Sequence, residues 1–135
     1  METYIGTQGE VMHDRRFGYR IPLEVMFTSY VRDRPVRALS ADLSDSGMGL
    51  ATVSGLAPPA GSVVAVELDL PGMSDSIWAR GEITHTRPGE LASGLGLRFV
   101  AMARTHARAL RDFVVESRRN HLGGLLARIR TASVP

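Results

Sequence analysis

A chain of 135 residues with 44% hydrophobic and 22% charged residues fits one globular domain. It contains no cysteine, which excludes disulfides, thiol catalysis and cysteine-based zinc sites. All 16 Lys+Arg positions are arginine, and they are unevenly placed: residues 1–100 hold 9 Arg against 12 acids, residues 101–135 hold 7 against 2. The first hundred residues therefore offer no broad basic surface for nucleic acid.

Along the chain, residues 1–13 are polar, contain Gly6 and Gly9, and show no sustained period, which predicts a flexible arm. With neither a basic n-region nor an apolar h-region there, no signal peptide is expected. No apolar run approaches the ~20 residues that span a bilayer, so a cytoplasmic protein is the expectation. The stretch "DRRFGYR" then sets Arg15, Arg16 and Arg20 just ahead of "IPLEVMFTSY", where Ile21, Leu23, Val25 and Phe27 alternate with Pro22, Glu24, Met26 and Thr28. That period of two predicts a strand. "VRALSADLS" and "GMGLATV" predict two more around the turn "SDSG". Ser62–Leu70, "SIWARGEITHTR" and "LGLRFVAM" add three, separated by Gly/Pro-rich turns. Six short strands joined this way indicate a small antiparallel sandwich or barrel.

From Ala103 to Arg119 glycine and proline vanish, and Ala107, Leu110 and Val114 share one helical stripe with Phe113 beside it. Thr105 is the expected N-cap. A separate segment, "HLGGLLARIR", spaces Leu122, Leu125, Leu126 and Ile129 helically, weakened by Gly123 and Gly124 at about 1 kcal/mol each. Residues 121–135 thus read as a basic amphipathic tail, either folded back, frayed or docked on a partner.

Two motifs carry chemistry. Arg16 and Arg20 form R-x-x-x-R, with Arg15 adjacent, and "DLSDSG" gives Asp42, Ser44 and Gly47 in a D-x-S-x-x-G pattern. Guanidinium groups offer forked donors to phosphate oxygens and to guanine O6/N7, and their flat faces stack on bases. A carboxylate and a hydroxyl on a turn offer acceptors to guanine N1–H and N2–H₂. Gly47 permits either a positive φ or a close backbone approach. Taken alone, the arginines read as a solvated loop and Asp42 and Ser44 as turn formers. Together and in order, they read as a clamp for an anionic guanine nucleotide.

The combination resembles the PilZ domain, the bacterial receptor for the second messenger cyclic diguanylate (c-di-GMP). "RRFGYR" and "DLSDSG" look like its two motifs, and "WARGEITHT … GLGLRF" running into a helix looks like its end, so the resemblance covers about Asp14 to Arg119. It implies a mainly β fold, a six-stranded antiparallel β-barrel of PilZ type with a C-terminal α-helix, over residues 14–120. It further implies that Arg16 and Arg20 bind the ligand's phosphates and guanines, that Asp42 and Ser44 contact a guanine edge, and that Gly47 shapes the turn. Arg15 fills a position where arginine accompanies two intercalated ligand molecules per chain. The implied function is non-catalytic second-messenger reception, relayed to a downstream protein, with no cofactor and no metal. An adaptor of the same fold that ignores nucleotide is the alternative. An oligonucleotide-binding barrel is disfavoured by the acidic balance of residues 1–100 and by an aromatic content of 6%.

The remaining candidates receive plainer readings. Arg98 is expected as an outward strand arginine and Trp78 as packing under a helix. His13, His85, His106 and His121 lack metal spacing. No G-x-S-x-G, Walker A or H-E-x-x-H pattern occurs, so no enzyme is expected. Before ligand arrives, Arg15, Arg16 and Arg20 are expected to crowd as like charges on a loop without a fixed partner.

Overall fold

Alternating apolar residues close into a barrel. A computed structural model describes residues 20–132 of the chain. Its strands are β1 (Ile21–Pro22), β2 (Met26–Val31), β3 (Arg34–Leu43), β4 (Gly47–Val53), β5 (Val63–Leu68), β6 (Ile77–Arg87) and β7 (Ala92–Met102), followed by a helix, α1 (Arg104–Ala132). Sheet order is β1-β3-β2-β5-β6-β7-β4, and a further β3–β4 pairing closes it. Every pairing is antiparallel. Six strands make the wall, and the two-residue β1 pairs with the end of β3. The expected six-stranded barrel with a C-terminal helix is therefore the observed fold; the expected arm, residues 1–13, lies outside the described residues.

The inward set of each strand builds the core, with Phe27, Leu43, Met48, Val66, Leu68, Ile77 and Ile83 nearly inaccessible. Helix α1 adds Leu110 and Val114 to the same cluster, with Ala107 and Phe113 packed half-buried against it, as its stripe predicts. Burying one such leucine stabilises by about 1.5–3 kcal/mol.

Three details depart from the sequence reading. The first strand is split into β1 and β2, because Ser40 reaches into the gap. Its hydroxyl accepts from the Val25 N–H at 3.0 Å and donates to the Leu23 carbonyl, taking those two groups out of the ladder. The Leu23 N–H still donates to the Ala41 carbonyl at 3.2 Å, and the Val25 carbonyl accepts from the Ser40 N–H at 2.9 Å. The helix begins one residue before Thr105, with the Ala107 N–H on the Ala103 carbonyl at 2.9 Å, so Thr105 lies in the first turn. Finally, α1 runs without interruption through Gly123 and Gly124. Once a helix is nucleated, each further residue adds a hydrogen bond, which outweighs the glycine cost. Among the described residues no helix is long and apolar enough to cross a membrane.

Candidate functional site

The D-x-S-x-x-G segment forms the tight connection between β3 and β4. Ser44 is only 1% exposed, and the turn consumes its hydroxyl. That oxygen accepts from the Ser46 and Gly47 N–H groups, both at 3.1 Å, and lies 3.2 Å from the Gly47 carbonyl, to which it donates. The Ser44 N–H also donates to that carbonyl at 2.9 Å. Ser44 is therefore the internal brace of the turn, presenting no free acceptor in this state.

Gly47 answers a question of close approach and not of positive φ. A side chain there would run into the Leu97 carbonyl of β7, opposite which Gly47 pairs with Arg98. The Phe99 N–H donates to the Ser46 carbonyl at 2.9 Å, fastening the turn to β7. A turn pinned on both sides is a rigid platform.

Asp42 stands at the end of β3, opposite Pro22 of β1 on one side and Gly49 of β4 on the other. Its Oδ1 accepts from Arg20 Nη1 at 2.6 Å and from the Gly49 N–H at 2.9 Å. The two sequence motifs, 22 residues apart, thus meet in one ion pair whose side chains remain 54% and 38% exposed. An ion pair this open is worth only ~0.2–1 kcal/mol. Its value is positional: a planar guanidinium and a carboxylate share one open edge of the barrel. Arg20 is consequently not the partnerless charge expected before ligand arrives. Arg15 and Arg16 lie outside the described residues.

Gly49 is a site residue that motif reading missed. A Cβ there would sit 3.1–3.3 Å from the Asp42 carboxylate oxygens, so glycine lets the carboxylate lie over the β4 backbone. The signal was present as a second glycine in "SGMG", one β-pair across from Asp42.

Other candidates fall where their chemistry puts them. Arg98 is exposed and bonded to Glu82 at 2.5 Å, the outward strand arginine expected. Trp78 is not packed away under the helix: the residue is 43% exposed, its ring stacks on Tyr30 at 5.6 Å, and its backbone N–H donates to His106 Nδ1 of α1 at 3.1 Å. Partial burial, and then the Glu67 carboxylate that accepts its hydrogen bond at 3.3 Å, push the Tyr30 phenol above its usual pKa. Among the described residues no group of three or more His, Cys, Asp or Glu side chains could hold a metal ion.

Comparison with known proteins follows the same geometry. A family model of the PilZ domain matches residues 14–116. No curated protein matches the sequence. Among solved structures, the fold is similar to the Bacillus subtilis inhibitor of motility (MotI/DgrA), with TM-score 0.69 and 18% identity, covering 79% of this chain and 53% of that one. This chain therefore spans about half the length of that protein. It is also similar to the PilZ domain of YcgR from Escherichia coli, determined with c-di-GMP, with TM-score 0.61 and 18% identity, covering 90% of this chain and all of that one. At such identities the likeness is one of fold.

Proposed function

The chain belongs to the PilZ domain family, and on that footing we propose that it is a non-catalytic receptor for c-di-GMP that acts in the cytoplasm of a bacterium and relays binding to a downstream protein. One observation carries the proposal: Arg20 of the arginine motif and Asp42 of the second motif are already in contact at the barrel edge. The fold's likeness to a PilZ domain determined with c-di-GMP supports it.

In this reading Arg20 and Arg16 supply forked donors to phosphate and guanine oxygens, while Asp42 Oδ2 accepts from a guanine N1–H and N2–H₂ edge. Ser44 and Gly47 serve by holding the turn, and Gly49 by seating the carboxylate. Arg15 extends the cluster to a second, intercalated ligand. Ligand held between Arg15 and Arg16 on one side and the pinned turn on the other would define an ordered state in which the arm's position relative to the barrel is the signal. The ligand's differential affinity for that ordered state sets the population shift.

Titration calorimetry with c-di-GMP, with GTP and a single-stranded RNA as controls, tests the assignment. Heat is expected for c-di-GMP alone, at two ligands per chain, falling towards one in Arg15→Leu. Absence of heat with c-di-GMP would leave the chain an adaptor that works through protein contacts.

A further inference from the structure

The far half of α1 has no counterpart in the barrel. Leu110 and Val114 are buried, but from Val115 to Ile129 no residue is buried. Over this stretch Val115, Leu122, Leu126 and Ile129 are exposed, and Leu125 is half-buried. At about 100° per residue all five fall within an arc of roughly 100°, which half-buried Arg118 enters near its start; beyond Arg118 the stripe is apolar, and no described element covers it. Arg119 borders one side of the stripe, and Arg128 and His121 the other; Glu116, Asn120 and Gly124 occupy the opposite face. Residues 101–135 carry 7 Arg against 2 acids.

We propose that this exposed half of α1 docks on an anionic lipid surface, its apolar stripe entering the interface and its arginines meeting the headgroups. The inference is independent of nucleotide binding. A narrow apolar stripe flanked by arginines, low in overall hydrophobicity, is the pattern of a helix that lies in a membrane interface. Arginine stems pack along the apolar surface while the guanidinium stays at headgroup level. The Glu116–Arg119 pair does not oppose this, because at 3.2 Å its side chains are 60% and 70% exposed and it yields readily.

A second copy of the chain fits less well. Sevenfold spacing links only Val115, Leu122 and Ile129, fewer than the three or four heptads that sustain a coiled coil. Gly123 and Gly124 lie off the stripe, and a Cβ at either meets nothing within 4 Å. Alanine there favours the helix and leaves the apolar face unchanged.

The test is sedimentation of the full chain with vesicles of phosphatidylcholine containing about one third phosphatidylglycerol, set against pure phosphatidylcholine. The wild type is expected to partition onto the anionic vesicles at least about tenfold better, with binding weakening at high salt. Arg119→Gln with Arg128→Gln should lower anionic binding by about thirtyfold. Leu122→Ser with Leu126→Ser should abolish it, and Gly123→Ala with Gly124→Ala should preserve or raise it. These positions are exposed, so the arginine and leucine variants should keep the wild-type thermal midpoint and the alanine pair should keep or raise it. No binding by the wild type, equal binding to neutral vesicles, or an unaffected leucine variant would overturn the proposal. So would loss of binding in the alanine pair, or light scattering that shows a dimer dissolved by the leucine changes, which would make the occupant a protein helix.

Discussion

Replacing Asp42 by asparagine sets two effects against each other, and their sizes decide the outcome. The carboxylate accepts from Arg20 at 2.6 Å and from the Gly49 N–H at 2.9 Å. Asparagine keeps an acceptor oxygen for the Gly49 N–H but loses the charge that holds Arg20. With both side chains this exposed, the lost ion pair costs at most ~1 kcal/mol of stability. For a chain of this size that lowers the thermal midpoint by about 3–5 °C. In binding, releasing Arg20 from its partner favours the ligand by no more than the same ~1 kcal/mol. Losing a two-point contact to a guanine edge opposes it by ~1–3 kcal/mol. The second effect wins, so Asp42→Asn should fold nearly as well as the wild type yet bind c-di-GMP about tenfold more weakly. Asp42→Ala should unfold earlier still, because a part-buried Gly49 N–H is left without its acceptor at ~1–3 kcal/mol. Thermal unfolding by circular dichroism and titration calorimetry read the two quantities separately. If Asp42→Asn binds c-di-GMP as tightly as the wild type or tighter, the carboxylate is a lock on Arg20 and no ligand contact, and the reasoning fails.

Gly47→Ala should destabilise the barrel by at least ~1–3 kcal/mol in urea unfolding, because its methyl meets the Leu97 carbonyl and β4 must move off β7. A wild-type midpoint would refute the close approach. Thr52→Val should raise stability by about 1 kcal/mol in the same assay, since the Thr52 hydroxyl is the one buried side-chain polar atom without a partner among the described residues; a loss of stability would show that the hydroxyl is bonded. The two-residue turn between β2 and β3 holds Arg32 and Asp33 at φ of 53° and 66°, a conformation suited to Asn-Gly. Arg32→Asn with Asp33→Gly should therefore gain ~1–2 kcal/mol, and a thermal midpoint that falls instead would contradict the strain.

The barrel was legible because each strand buries one face, and a period of two survives in Val64, Val66 and Leu68 or in Leu95, Leu97 and Phe99 whatever lies between. What was not legible depends on contacts between distant residues. The break after Pro22 is made by the Ser40 hydroxyl, 15 residues from Val25 and 17 from Leu23, which no local period encodes. Gly123 and Gly124 have low propensity, yet their cost is small beside the cooperativity of a helix already running past Leu110 and Val114. Trp78 read as packing under a helix, but its strand position alternates outward, and Tyr30 across the sheet covers one face of its ring. At the site, both motifs were visible as residue types at fixed spacing. That they act together was also legible; that Arg20 already holds Asp42, that the turn uses up the Ser44 hydroxyl, and that Gly49 seats the carboxylate follow only from which strands are neighbours.

Amide hydrogen exchange with and without c-di-GMP tests most directly the claim that the ligand ties the arginine segment to the β3–β4 turn. New protection is expected across residues 12–21 and 42–48, with the β5 strand, Val63–Leu68, unchanged. Binding accompanied by protection elsewhere on the barrel, or by none in either segment, would contradict the site and the switch together.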